Sequence, residues 1–398
     1  MKAFRTVLFW LHLAAGVAAG LVILVMSATG AVLAFKPQIL NQVDRAVRFV
    51  EPAGTPRLTP SQLLAAAEAF RPGVQPATLV LDRDPSASAA VGFGRDGTLY
   101  VNPYTGATLG TGSAGAQQFF RTTEDLHRWL SLGGENRDTG RSLTGASNLA
   151  FLALAVSGLF LWWPHKWLPQ HLNAILFFRR TATARARDFN WHNVIGFWCA
   201  PLLIVLTATG AVMSYPWANR ALYQLAGSPL PAARGPQGPQ GPRDRRGSQD
   251  PQVPRIDVDR LWARAEQQLP TWQTVTMRLP ERPRAPVSFT MNDASHWNAF
   301  ARSQLALDAA TGDIVRWEPY DGQSRGQQWR GWVRFGHTGE LGGVAGQALA
   351  GIACLGGVIL VWTGLALAWR RLVGWRLWRR IGIPAQAASP PAPAPMPE

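Results

Sequence analysis

Four of the seven histidines in this 398-residue chain stand at matching places in two halves. His12 opens a long apolar segment that closes at Thr29-Gly30 in the string ATGAV. His192 opens another, which closes at Thr209-Gly210 in the same string, with an offset of 180 residues at both ends. His127 and His337, 210 residues apart, each precede a further apolar segment. Ionisable side chains repeated at membrane segments are functional candidates. Paired neutral imidazoles are what a haem iron takes as axial ligands, and facing helices of a bundle supply such pairs.

The elements that must position these residues are apolar. The chain is 47% hydrophobic and 16% charged, and its hydropathy collects in four blocks at about 7–35, 147–163, 194–215 and 344–369. A helix needs ~20 apolar residues to cross a ~30 Å hydrocarbon core. The second block is shorter and is expected to be entered through an approach turn at Leu143 to Ser147. The first block competes with a signal peptide whose basic start is Lys2 and Arg5. Its length, and the recurrence of its pattern inside the chain, favour a retained helix.

Basic residues set the orientation. Lys2 and Arg5 precede the first block. Lys166, Arg179, Arg180, Arg185 and Arg187 follow the second. Arg370, Arg371, Arg376, Arg379 and Arg380 follow the fourth. With four spans all three groups share one side, so both termini are expected in the cytoplasm. The net charge of +15 is then topology and anionic-lipid contact. Nucleic-acid binding is excluded because no compact basic domain exists. Cys199 and Cys354 both fall in spans, so the exported segments fold without disulfides.

Those segments read as two small α+β domains. In the first, Leu58-Thr59-Pro60-Ser61 starts a helix capped by Ser61 or Thr59 that runs from Gln62 to Phe70. Strand patterns follow at Ala77 to Leu81 and Ala89 to Phe93, then a hairpin pattern around Asn102-Pro103-Tyr104-Thr105-Gly106. The second repeats the order, with a helix from Asp257 to Leu269. Its strands are at Thr274 to Leu279, Val287 to Met291, Gln304 to Asp308 and Asp313 to Trp317. The expected organisation is span 1 within 1–35, exported domain 1 at 36–145 with a helix ahead of span 2, and span 2 at 146–163. A basic cytoplasmic loop (164–190), span 3 (191–215) and exported domain 2 (216–343, with a flexible Pro- and Gly-rich linker at 227–254) follow. Span 4 (344–369) and a basic, Pro- and Ala-rich tail (370–398) complete it. The fold class is thus an α-helical membrane protein: four transmembrane helices from an internal duplication, with two exported α+β domains.

The strings LHLAAG, NPYTG, EDLHRWL, SGLFLWWPHK, WHNVIGFW, LTATGAV, GHTGELGG and TGLALAWRR, in this order, resemble the PepSY-associated transmembrane proteins, among them iron-regulated membrane proteins and ferric-siderophore reductases. The similarity covers residues 5–380 apart from the linker. It implies four spans, two periplasmic PepSY-like domains, b-type haem and electron transfer to chelated ferric iron in a bacterial inner membrane. His337, in GHTGEL, lacks the Arg-Trp-Leu that follows His127. No flavin or dinucleotide module is recognisable, which leaves the donor open between a flavoprotein and a quinol.

On this basis His12 with His192, and His127 with His337, are expected to hold two b haems at two levels of the membrane. His165 is an alternative partner at the first level. His165 and His171 otherwise read as interfacial, and His296 as a surface residue. Trp129, Trp198, Trp332 and Trp362 are candidates to pack on porphyrin. Arg128 and Arg334, like Arg121, Arg141 and Arg330, are candidates for haem propionates or anionic chelates. The serine- and threonine-glycine pairs 29–30, 157–158, 209–210 and 363–364 read as close helix contacts. The leading function is reduction of ferric chelates, with ferric siderophores as the substrate class. The alternative is a non-enzymatic regulator or assembly factor that binds a periplasmic protein partner. GxSxG, HExxH and paired-carboxylate motifs are absent in any useful context, which argues against a hydrolase.

Overall fold

The computed structural model describes residues 2–163, 173, 176–231, 257–280, 285–296, 298 and 300–381. His165 and His171, most of the 227–254 linker and the tail beyond 381 lie outside the described residues. The principal helices are α1 (Lys2–Leu33), α2 (Pro60–Phe70), α3 (Ala114–Trp129), α4 (Arg137–Trp162), α5 (Ala184–Ser214), α6 (Val258–Gln268), α7 (Arg325–His337) and α8 (Gly343–Ile381). The strands are β1 (Thr78–Asp82), β2 (Ala89–Gly92), β3 (Thr98–Val101), β4 (Thr108–Gly110), β5 (Trp272–Arg278), β6 (Val287–Asp293), β7 (Arg302–Leu307) and β8 (Ile314–Glu318).

Four helices, α1, α4, α5 and α8, are long and apolar enough to cross a membrane. Each is longer than its hydropathy block. In particular, no approach turn precedes the second span: α4 is already helical at Arg137 and passes unbroken through Leu143 and Ser147. The polar residues of its first turns go on satisfying their backbone groups within the helix, so hydropathy ends before the helix does. Pro201 lies inside α5 without ending it. A membrane helix tolerates that because neighbouring groups re-satisfy the released carbonyl. Large apolar side chains such as Leu21 and Trp362 point outward, 70% and 69% exposed, as lipid-facing positions require.

The chain divides into two compact units. One comprises the residues up to Ala31, His127–Ala208 and those from Ile352 onward, and the other is Val32–Leu126 with Thr209–Gly351. Within the first, the spans are tied at their ends. Arg5 Nη2 donates to the carbonyls of Phe160 and Trp163, at 3.2 and 2.6 Å, so the start of α1 lies beside the end of α4. Asp188, 2% exposed, accepts from Arg187 of its own helix at 2.9 Å and from Arg370 of α8 at 2.5 Å.

The second unit departs from the expected pair of separate α+β domains. Its eight strands form one sheet in the order β4-β3-β2-β1-β5-β6-β7-β8. The join is β1 against β5 (Trp272–Arg278), antiparallel from Thr78↔Arg278 to Asp82↔Thr274. Separate domains would each leave an open edge of unpaired backbone groups, and pairing β1 with β5 removes both edges. One face of the sheet packs on α2 and α6 in a shared core. Leu63, Leu79, Val275, Met277 and Phe289 come from both segments and are all at most 1% exposed.

Local chemistry explains these helices. Thr59, not Ser61, caps α2. Its hydroxyl accepts from Gln62 N at 3.4 Å and Gln62 Oε1 accepts from Thr59 N at 2.9 Å, a reciprocal box. Asp257 caps α6 by accepting from Arg260 N at 3.1 Å. Ser61 donates to Asp259 from its N and its Oγ, at 2.8 and 2.5 Å, which ties the two helices together. The hairpin turns of the two segments match: Gly106 and Gly312 both need positive φ, at 75° and 76°.

Met277→Ala tests the common core. Truncating a fully buried Met costs about 2–5 kcal/mol. Protease cleavage in detergent is expected to become faster in both sheet halves together; cleavage confined to residues after 257 would contradict a single cooperative sheet.

Candidate functional site

The first unit contains a cavity of about 760 Å³ among the four spans. It is within the size range of cofactor sites, roughly 300–1,000 Å³. His12 of α1 and His192 of α5 both line it. Most of the remaining wall is apolar, with Phe9, Phe151, Trp162 and Phe197 among it, and Thr183, Arg185, Asn193 and Arg371 are its other polar members. Trp162 stacks on Phe197 with centroids 4.3 Å apart, which stiffens one wall. Gly16, Gly20, Gly158, Gly196 and Gly364 keep room open. A Cβ at Gly158 would lie 3.5 Å from Cε1 of His12, and one at Gly364 would lie 3.3 Å from Cε1 of His192. Each glycine is thus the floor on which an imidazole rests.

Each of the histidines 12, 192, 127 and 337 meets a hydroxyl through Nδ1. His12 pairs with Ser157 Oγ at 2.8 Å and His192 with Thr363 Oγ1 at 2.9 Å. His127 pairs with Thr29 Oγ1 at 2.9 Å, and in the second unit His337 pairs with Thr209 Oγ1 at 3.1 Å. These are the serine and threonines of the four residue–glycine pairs. Their role is therefore more specific than close helix packing. A Cβ at Gly30 would stand 3.4 Å from Cε1 of His127, so that ring too lies on a glycine.

His127 and His337 are not on spans but at the ends of the short helices α3 and α7. Thr144 Oγ1 donates to the Arg128 carbonyl at 2.8 Å, and a Cβ at Gly140 would be only 2.1 Å from the Trp129 carbonyl oxygen. The end of α3 is thereby clamped on the start of α4, and Leu130 and Ser131 turn the chain with φ of 56° at both. At the end of α7, Gly339 and Gly346 bring backbones together: a Cβ on Gly346 would lie 2.3 Å from the Gly339 oxygen. Phe335 of α7 also stacks on Phe300 at 3.5 Å between centroids. From His12 to Thr29, the partner of His127, α1 rises about 25 Å at 1.5 Å per residue. The first unit therefore holds histidines at two levels.

The other candidate residues lie outside this cavity. The guanidiniums of Arg128 and Arg137 lie over the Trp129 ring, at 4.5 and 4.1 Å. Arg334 lies over Phe335 at 5.8 Å. None of Trp129, Trp198, Trp362, Arg128 and Arg334 lines the cavity that holds His12 and His192. Arg185 and Arg371 do line it, at the end that also carries Arg5 and Arg370. Neither is ion-paired with a carboxylate among the described residues. In the sequence they read only as topology charges, because nothing local separates a cavity arginine from a lipid-facing one. His296 is in the sheet unit, half-buried rather than freely exposed, between Asp321 at 2.9 Å and Asp293 at 3.3 Å.

Two imidazoles, apolar walls, glycine floors and two guanidiniums at one end suit a flat, apolar, dianionic ligand. The donor set fits haem b: nitrogen for iron, guanidinium for carboxylate. Gly140→Val tests the clamp. It is expected to displace the end of α3, cost about 1–3 kcal/mol, and raise labelling of His127 by diethylpyrocarbonate as read by mass spectrometry. Unchanged labelling would remove Gly140 from the account of how His127 is held.

A family model described as PepSY-associated TM region matches residues 9–371. No curated protein matches the chain.

Proposed function

We propose that this chain, which belongs to the family of the PepSY-associated TM region, is a b-type haem protein of the bacterial inner membrane that carries electrons outward to ferric chelates. The observation that carries this is the pair His12 and His192 in one apolar cavity with Arg185 and Arg371. Haem b held there would supply a one-electron iron couple.

The protein's own part is to bind, orient and keep dry. His12 and His192 offer nitrogen from two different spans, and the glycines keep their rings against the helices. Arg185 and Arg371 offer charge to carboxylates at the basic end of the bundle. By the positive-inside rule that end is cytoplasmic, and so are both termini. His127 and His337, with the same hydroxyl partnership, are the proposed ligands at the outer level. Two levels about 25 Å apart along α1 divide a ~30 Å core that one centre would leave largely uncrossed. Electrons would enter from a flavoprotein or quinol and leave to a ferric siderophore or similar chelate in the periplasm. Ferrous iron, less highly charged, is held more weakly by oxygen ligands than ferric iron.

The visible spectrum of detergent-purified protein tests this, oxidised and then dithionite-reduced. About two b haems per chain are expected, and His12→Ala or His192→Ala should each remove about one and abolish reduction of a ferric chelate. Protein that stays colourless after haem-supplemented expression would overturn the proposal and favour binding of a periplasmic protein partner.

A further inference from the structure

Three of the four hydroxyls beside the histidines have a direction. Thr363 Oγ1 donates its proton to the Ile359 carbonyl one turn back, at 2.7 Å. Thr29 Oγ1 does the same to the Val25 carbonyl at 2.7 Å. Ser157 Oγ donates to the Leu154 carbonyl at 3.3 Å. A hydroxyl has one proton. Where it is directed to the backbone, the oxygen accepts from the imidazole, and that bond requires the proton to sit on Nδ1.

We propose that Ser157, Thr363, Thr29 and Thr209 are positioning residues, each accepting from the Nδ1–H of its histidine and thereby fixing a neutral imidazole with Nε2 as the unprotonated, metal-ligating nitrogen. That Nε2 meets iron rests on the haem assignment proposed above; the tautomer itself does not. In metal proteins the outer partner of a ligating histidine fixes its tautomer and ring orientation in this way. A carboxylate would do the same in water-rich sites. Inside a span it would add a buried charge, whereas a back-bonded hydroxyl adds none. The glycine next in sequence completes the device: at positions 158, 364 and 30 a side chain would crowd Cε1 of the ring that its neighbour holds.

The same chemistry occurs in different connections. Ser157 and Thr363 belong to the spans following the histidines they hold, α4 after α1 and α8 after α5. Thr29 and Thr209 belong to the spans preceding theirs. A hydroxyl–glycine pair opposite every duplicated histidine is more than helix packing requires. Small residues alone would pack as well, and alanine would serve.

The test uses the full-length protein labelled with ¹⁵N-histidine, in lipid bilayers, with and without haem, alongside Thr363→Val and Thr363→Ser and the matching Ser157→Ala and Ser157→Thr. Expected in the haem-free wild type is the Nδ1–H tautomer at His12 and His192. In Thr363→Val the His192 signal should leave that tautomer and haem affinity should fall about 10–100-fold. Thr363→Ser should restore both, which a merely space-filling role would not. An Nε2–H tautomer in the wild type, or valine and serine variants alike in tautomer and haem affinity, would overturn the proposal. Wild-type protein with the Nδ1–H tautomer but no haem uptake would support the positioning role and sink the haem reading instead.

Discussion

An imidazole placed in a bundle of apolar helices cannot be left to water. A buried polar group without a partner costs free energy, and here the partner is a hydroxyl whose own proton already belongs to its helix backbone. That bond, His Nδ1 to Ser or Thr oxygen, fixes the remaining arrangement. It requires a serine or threonine at a set height on a neighbouring span and a glycine next to it to admit the ring. It also requires the spans to be tied closely enough that 2.8–2.9 Å contacts persist at His12, His192 and His127. The end ties of Arg5 and the Asp188–Arg370 pair serve that purpose.

The helices ahead of the second and fourth spans solve a related problem. A histidine near the far face has to approach its hydroxyl without a span of its own. Both α3 and α7 end in a histidine-bearing turn clamped by backbone contact at glycine, Trp129 against Gly140 and Gly339 against Gly346. Only glycine permits such contact, so these positions carry constraint although they have no chemistry. The joined sheet contributes differently. With β1 and β5 paired, the two strand-bearing segments become one body, and α2 and α6 lie over a single core.

Charge is distributed to match. Arg5, Arg185, Arg370 and Arg371 gather at one end of the spans, and two of them, Arg185 and Arg371, also line the cavity. Their place in the cavity follows from where the helix ends converge.

The spans, the strand pattern and the four histidines were legible in the sequence because they depend on periodicity and repetition. An apolar run long enough to cross a bilayer has few other uses, and strand alternation survives any arrangement of the strands. The helix starts at Thr59 and Asp257 were legible for the same local reason, though the choice of Thr59 over Ser61 needed the geometry of the Gln62 box. The tertiary structure decided what depends on distance between remote residues. It made one sheet out of two strand sets, because edge pairing carries no sequence signature beyond each strand's own. It extended α4 back to Arg137, where polar residues hide a helix from hydropathy. It brought His12 beside Ser157 and His192 beside Thr363, and it put Arg185 and Arg371 on the wall of their cavity. Residue type told which groups can bond; only the packing of antiparallel spans told which pairs meet, since a hydroxyl 145 or 171 residues away is invisible to any local rule.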